Sequence, residues 1–172
     1  RLKEASSGGG ASVTYGQYFT SVETARGERD EEDGQTVTAS AWQGLALGSD
    51  GYMTLSAEYL KRDTTNRSDY DPRPAAGGAI TARAGDPEVE QWTVFANAGK
   101  PLSNGWEAFG WAGYQDRDSE SAAFPRLSDN ANNVAAIYPD GFLPKIAVNS
   151  QHASAGAGLR GHIGGWDAGF SL

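Results

Sequence analysis

The stretch that decides the fold spans residues 91–116 and reads QWTVFANAGKPLSNGWEAFGWAGYQD. Trp92, Val94 and Ala96 alternate there with mostly polar neighbours. This alternation predicts a β-strand with one apolar and one polar face. Asn104-Gly105 follows and predicts a hairpin with a type I′ turn, because both residue types tolerate the positive φ that this turn needs.

The same combination of a turn dipeptide and a following aromatic residue occurs at two other places. Asp50-Gly51 precedes Tyr52, and Gly164-Gly165 precedes Trp166. Each dipeptide predicts a further primed turn and hairpin. A long polar stretch separates each of these hairpins from the next. Short turns at one edge of a sheet and long loops at the other are typical of a membrane β-barrel.

Seven alternating stretches predict seven strands, at residues 11–22, 35–47, 52–60, 91–99, 106–116, 151–162 and 166–172. No stretch has the 3.6-residue period of a helix. Three long outer loops are predicted between the strands, at residues 23–34, 61–90 and 118–150. Strands of about ten residues match the ~9–11 residues that a tilted strand needs to cross a bilayer.

The predicted fold is therefore all-β: an antiparallel, up-and-down transmembrane β-barrel occupying residues 8–172. The apolar faces carry mostly Ala, Val, Leu and aromatic residues, a composition that favours contact with lipid. Trp92, Trp106 and Trp166 are predicted membrane-interface aromatics. Seven strands leave two open edges, so we expect the barrel to be incomplete without further strands.

Composition excludes several classes of function. The formal net charge of −8 argues against nucleic acid as a partner. The absence of cysteine excludes disulfides and thiolate metal sites. Residues 156–161 form a literal G-x-G-x-x-G, but no helical pattern follows it, so small residues in a strand explain it better than a dinucleotide site. We expect no catalytic residues, no metal site, no cofactor and no enzymatic activity.

Residues 138–144, YPDGFLP, resemble a phrase in an outer loop of TonB-dependent outer-membrane receptors. Further phrases stand in the same order as in that family: RLKEA at 1–5, YGQY at 15–18, TNR at 65–67, GDP at 85–87, NAG at 97–99, GLRG at 158–161 and GWD at 165–167. The resemblance covers essentially the whole chain and is carried by the ordered set.

This resemblance implies a location in the bacterial outer membrane and a 22-stranded barrel, of which the chain supplies about seven strands. It implies that residues 1–7 are the exit from an N-terminal plug domain. It also implies active uptake of a scarce nutrient, such as a siderophore, a vitamin or an oligosaccharide. The implied partners are outer-membrane lipid, the plug domain and remaining barrel strands, the TonB complex through residues outside this chain, and the small-molecule nutrient.

Side chains in the predicted outer loops are the candidate ligand-binding residues: Arg67, Tyr70, Arg73, Arg126, Tyr138 and Phe142. Arginine makes bidentate contacts with carboxylates and phosphates, and aromatic rings stack on flat or sugar-like ligands. Packing of the loops against one another is the alternative role for these residues. A passive porin or adhesin barrel, and a soluble β-sandwich carbohydrate-binding module, are the alternative functions.

Overall fold

The structure is a computed structural model that describes residues 2–172, so that Arg1 lies outside the described residues. Nine strands occur in it: β1 (Gly9–Thr24), β2 (Gly27–Leu47), β3 (Gly51–Arg62), β4 (Glu88–Pro101), β5 (Glu107–Ala122), β6 (Arg126–Leu127), β7 (Gly141–Phe142), β8 (Lys145–Ile163) and β9 (Trp166–Ser171). One 3₁₀ turn, Pro74–Ala76, is the longest helical segment in the described part. None of the helical structure there could span a membrane.

Seven of the strands form one antiparallel sheet in the order β1-β2-β3-β4-β5-β8-β9. Every strand of this sheet is hydrogen-bonded to the strand that precedes or follows it in the sheet, with antiparallel pairing throughout. The predicted all-β antiparallel class and the seven strands are confirmed. The short strands β6 and β7 pair with each other inside the last long loop.

The pairing register divides the sheet into two chemically different faces. We call one the apolar face, because Ala57 lies opposite Val94 and Ala96 lies opposite Ala112. We call the other the polar face, because Thr54 lies opposite Asn97. The main members of the apolar face are Val13, Tyr15, Ala39, Ala41, Leu55, Ala57, Tyr59, Trp92, Val94, Ala96, Ala112, Tyr114, Ala155 and Leu159.

Neither face is covered by a second layer of the described chain. The chain exposes 11081 Å², whereas a compact folded domain of its mass, 18.1 kDa, exposes about 8,100 Å². The buried hydrophobic residues in residues 2–172 are Val22, Val89 and Leu127. The excess of about 3,000 Å² is the area that a single-layer sheet leaves open and a packed domain would bury.

The prediction of an outer loop at residues 23–34 is wrong. β1 and β2 continue through this region as a paired ladder up to Thr24 opposite Gly27, and only a two-residue turn joins them. One extra residue of β2 enters the ladder near Gly34, whose φ is +67°. A β-bulge of this kind bends and twists the strand that carries it.

The other two predicted loops exist, but both are shorter than predicted. Residues 63–87 connect β3 to β4, and residues 123–144 connect β5 to β8. The strands therefore extend further toward the loops than their alternating stretches indicate. The short β6–β7 ribbon within residues 123–144 was not predicted.

All three predicted hairpins are present, but only one has the predicted turn. Gly164 and Gly165 have φ of +56° and +84°, as a type I′ turn requires. At the other two hairpins the positive φ falls on a single glycine: Gly48 in one and Gly105 in the other. Asn104 and Asp50 have negative φ, as do all non-glycine residues in the described chain.

The segment that precedes β1 lies across the polar face of the sheet. The backbone N–H of Ala5 donates to Oγ1 of Thr54 at 3.1 Å, and the same hydroxyl donates to the carbonyl oxygen of Ala5 at 3.3 Å. Asn97 Nδ2 donates to the carbonyl oxygen of Lys3 at 2.8 Å. These contacts leave Thr54 0% and Asn97 5% exposed. We call residues 2–8 the N-terminal segment.

Candidate functional site: the polar face and the loops above it

Loop 63–87 is held against β2 by several hydrogen bonds, three of which are made by one carboxylate. Asp33 accepts two hydrogen bonds from the guanidinium of Arg67, at 2.6 and 2.8 Å, and one from the backbone N–H of Asn66 at 2.8 Å. Arg29 donates to the carbonyl oxygen of Asn66 at 3.2 Å. A bidentate arginine–carboxylate pair is among the stronger polar contacts in proteins, so this end of the loop is held firmly.

Two further aspartates continue the same loop. Asp69 accepts hydrogen bonds from the Thr24 hydroxyl and the Arg26 guanidinium, both at 2.6 Å. Asp71 accepts hydrogen bonds from the Arg73 guanidinium and from the Thr81 hydroxyl. Each arginine in these contacts has its charge balanced within the chain.

The hydrogen bonds to these aspartates stabilise the ionised carboxylates. Arg67 holds the pKa of Asp33 below its ordinary value, mainly through its side-chain hydrogen bonds. The Thr24 hydroxyl and Arg26 lower the pKa of Asp69. The Arg73 guanidinium lowers the pKa of Asp71 strongly. The loop is therefore built from carboxylates that remain charged at neutral and mildly acidic pH.

Loop 123–144 brings three of the predicted ligand-binding residues together. Arg126 lies directly opposite Phe142 in the β6–β7 ribbon, and its guanidinium carbon is 5.5 Å from the centre of that ring. Tyr138 stacks on Phe142 with ring centres 4.3 Å apart. In the same loop, Phe124 and Ile137 expose 92% and 65% of their area, so the loop presents apolar side chains at its surface.

The other three predicted ligand-binding residues lie in loop 63–87. Arg67 is paired with Asp33, Arg73 is paired with Asp71, and the ring of Tyr70 covers Gly27. Arg73 also donates to the carbonyl oxygen of Pro125 at 3.4 Å and so links the two long loops. All six residues make contacts within the chain, as the loop-packing alternative requires. Ligand binding by these residues stays a prediction.

The three predicted interface aromatics lie on the apolar face. Trp92 lies opposite Tyr59, with ring centres 4.5 Å apart. Trp106 stacks on Phe170 at 6.0 Å, and Trp166 lies opposite Ile163. They form two levels, since Trp92 is near the long loops whereas Trp106 and Trp166 adjoin tight turns.

Carboxylates lie on the same side of the sheet as the apolar face, beginning at Asp116, which lies directly opposite the loop-side residue Trp92. Glu90 lies opposite Asp118, and Asp116 follows Tyr114 by two positions on β5. Directly opposed like charges are unfavourable, and Asn149 offsets part of this cost by donating to both Asp116 and Asp118. Carboxylates are costly to remove from water, so they mark the point where the apolar face ends.

Sequence reasoning missed the aromatic residues of the polar face. Trp42, Phe95 and Trp111 lie there, and the register on β5 assigns Phe109 and Trp111 to the polar face and Ala112 and Tyr114 to the apolar face. The signal for them in the sequence is that each lies an odd number of positions from the apolar residues of its own strand, which places it on the opposite face. That signal was ambiguous on β5, where aromatic residues occupy both registers.

A charged cluster joins the N-terminal segment to the turn-side end of the polar face. Arg160 donates to both carboxylate oxygens of Glu107, at 2.9 and 2.8 Å, and lies 3.5 Å from a carboxylate oxygen of Glu4. Within residues 2–172, no group of three or more His, Cys, Asp or Glu is arranged to hold a metal ion. The polar face thus offers hydrogen-bonding groups and ring faces for binding.

Comparison of the chain with protein-family models, with curated proteins and with solved structures gives no match.

Proposed function

We propose that this chain forms part of the wall of a transmembrane β-barrel, in a TonB-dependent receptor of the bacterial outer membrane that actively imports a scarce nutrient. In this proposal the apolar face contacts lipid and the polar face lines the lumen. The two long loops lie outside the cell and capture the nutrient. The ordered phrases that resemble those of this receptor family support the assignment beyond the barrel itself.

The observation that carries the proposal is the apolar band bounded by aromatic residues at both ends. On β5 and the turn before it, ten positions separate Trp106 from Asp116, which lies directly opposite Trp92 on β4, about 33 Å along a strand. At the ~40° tilt of barrel strands this distance corresponds to a band about 25 Å tall, the height of the apolar band of outer-membrane barrels. The sheet exposes about 3,000 Å² more surface than a compact domain of its mass, and a lipid bilayer is a partner that would cover it.

The connections also support a membrane barrel. Loops 63–87 and 123–144 lie at one end of the sheet, and tight turns join β2 to β3, β4 to β5 and β8 to β9 at the other. Outer-membrane barrels have long extracellular loops and short periplasmic turns. The exception is the β1–β2 hairpin, which projects beyond the apolar band as a paired ribbon instead of a loop.

The five tryptophans of the chain allow a direct test of the membrane assignment. Trp92, Trp106 and Trp166 belong to the apolar face, whereas Trp42 and Trp111 belong to the polar face. In single-tryptophan variants reconstituted into lipid with brominated acyl chains, we expect bromine to quench the first three. We expect acrylamide, dissolved in water, to quench Trp111 and leave the first three largely unquenched. Equal bromine quenching of both sets would contradict the proposal.

Conductance of the intact protein separates active import from the passive alternative. A receptor whose lumen is filled by a plug keeps a planar bilayer nearly silent, whereas a passive porin gives open-channel current. A soluble β-sandwich differs from both, because it gives no bromine quenching and folds without detergent. We expect a silent bilayer together with quenching of the apolar-face tryptophans.

A further inference from the structure

Every aromatic residue that strands β2–β5 place on the polar face lies directly opposite a glycine of a neighbouring strand. The pairs are Trp42 with Gly10, Tyr52 with Gly99, Phe95 with Gly113, Phe109 with Gly158, and Trp111 with Gly156. The aromatic residues that β2–β5 place on the apolar face are paired with other side chains, as Tyr114 is with Val94. Trp106, which precedes β5, differs from them because its ring covers Gly161. On β2–β5, the two faces therefore differ in what lies opposite an aromatic residue: a glycine on the polar face and a side chain on the apolar face.

The opposing glycines let the rings of the polar face lie flat against the sheet. A Cβ added to Gly156 would lie 2.8, 2.9 and 3.0 Å from three atoms of the Trp111 indole, so the ring covers the glycine with its face. A Cβ added to Gly113 would lie 3.0 Å from a ring carbon of Phe95. Rings that lie flat direct their second face away from the sheet, toward the space that the polar face borders.

Cationic side chains of this chain lie over two of these outward ring faces. Lys3 Nζ lies 4.0 Å from the centre of the Trp42 ring, and the Arg160 guanidinium carbon lies 5.8 Å from the centre of the Phe109 ring. The rings of Phe95 and Trp111 are stacked, with centres 6.1 Å apart and planes inclined by 17°. We call this pair of nearly parallel rings the aromatic platform.

Short polar side chains surround the aromatic platform. Ser56 lies opposite Phe95, and Ser154 lies opposite Gly113. A cavity of about 300 Å³ adjoins Phe95 and is lined also by Thr93 and by two residues of opposite charge, Lys3 and Glu58. A flat apolar floor with hydroxyl groups at its rim and no net charge suits a sugar ring, which has an apolar C–H face and a rim of hydroxyls.

We propose that the aromatic platform binds a hexose ring of a neutral oligosaccharide by stacking, so that the nutrient imported by this protein is a carbohydrate. This inference rests on the proposed function, since it takes the polar face as the side open to the nutrient. It places the binding surface on the sheet itself, below the loop residues Tyr138 and Phe142. Sugar released from the loops would meet the platform next.

Calorimetric titration of the intact protein in detergent micelles with maltohexaose, cellohexaose and chitohexaose tests the proposal. We expect at least one of these sugars to bind. Trp111→Leu should weaken that binding by about tenfold, the scale of one lost aromatic stack, and Trp111→Phe should restore part of it. Gly156→Ala should also weaken binding, because the new methyl group displaces the indole from the sheet.

The matched control is Gly110→Ala on the apolar face of β5, the strand that carries Trp111. A Cβ there would meet its nearest atom at 3.4 Å, so this substitution should leave sugar affinity unchanged. Far-ultraviolet circular dichroism identifies any variant that fails to fold, and Trp111→Phe keeps the test valid if Trp111→Leu is one of them. The proposal is overturned if none of the three sugars binds, or if affinity is indifferent to Trp111.

A cationic ligand is the alternative, because Lys3 and Arg160 lie over two other rings of the polar face. Binding of tetramethylammonium at the platform, lost in Trp111→Leu and with no sugar binding, would overturn the carbohydrate assignment. Failure of sugar binding remains distinguishable from failure of the membrane proposal, because bromine quenching of Trp92, Trp106 and Trp166 does not depend on the ligand.

Discussion

Asp33 makes the most hydrogen bonds between the side chains of β2 and loop 63–87, the longest described connection of the sheet. Three hydrogen bonds converge on its carboxylate, and only 15% of the side chain is exposed. The residue lies beside the bulge at Gly34, where a side chain would collide with Thr65 and Tyr18. A charged group and a glycine together fix how loop 63–87, after leaving β3, packs against β2.

Acid should release this loop. The pKa of Asp33 is lower in the folded protein than the ~3.9 of an unfolded aspartate. The stabilisation is therefore complete above about pH 4 and is lost as the pH falls through the folded pKa. A spin label at Ala75→Cys should become mobile as the pH falls through the folded pKa, and Asp33→Asn should make it mobile at pH 7. Equal label mobility at pH 7 and pH 2 in the unsubstituted loop would contradict this role for Asp33.

At the scale of single residues, the sequence identified chemistry but could not identify partners. Arg67 was recognised as a loop cation, but its partner Asp33 is 34 positions away and was assigned to a different loop. The flat rings of Trp42 and Trp111 depend on glycines that only the pairing register brings opposite them. A one-residue change of register would move those glycines to the other face, so alternation within a strand could not find these pairs.

Along each long strand, two zones differ in their sequence pattern. Within the apolar band, alternation of Ala, Val and aromatic residues with polar residues revealed β3, β4, β8 and β9 from the sequence. Beyond the band, both faces of a strand are polar and the alternation disappears. Residues 28–33 of β2 are all charged, yet they pair with β1 up to the turn. Their prediction as a loop failed because the apolar period marks contact with an apolar partner, not strand structure itself.

Charge placed within the band of β4 should be costly on one face only. Ala96 lies on the apolar face midway between Trp92 and Lys100, and Thr93 lies on the polar face of the same strand. In lipid bilayers, Ala96→Arg should lower the free energy of unfolding by about 2–4 kcal/mol, and Thr93→Arg should lower it by much less. Urea titration of the reconstituted protein measures both. An equal loss for the two variants would mean that the band does not face lipid.

The N-terminal segment is the second element whose position can be tested directly. Thr54 is fully buried and exchanges two hydrogen bonds with Ala5. Thr54→Val keeps the shape and removes both bonds, at a cost of about 1–3 kcal/mol. We expect the Ala5 amide to exchange its hydrogen about tenfold faster or more in this variant. Thr38→Val on the same face is the control, and identical exchange rates in the two variants would show that Thr54 does not hold the segment.

For the whole molecule, the central physical fact is the absence of a packed interior in residues 2–172. Its 11081 Å² of exposed area belongs to a sheet with two faces of different chemistry. We interpret one face as the lipid-facing wall of an importer and the other as the lining of its lumen. The sequence predicted the sheet class and the strand order because neighbouring strands in the chain are neighbours in the sheet. Closure and cargo depend on partners that alternation within one chain does not encode.

The central claim is that the two faces of the sheet have different solvents, lipid on one side and water on the other. Because the chain has no cysteine, single cysteines at each position of residues 91–98 can carry a spin label without background labelling. In the reconstituted protein, we predict that labels at Trp92, Val94, Ala96 and Ala98 collide with dissolved oxygen. Labels at Gln91, Thr93 and Phe95 should instead collide with a water-soluble nickel chelate, giving a period of two residues. Exclusion of both reagents from the apolar-face positions would reveal a protein partner there and contradict the account.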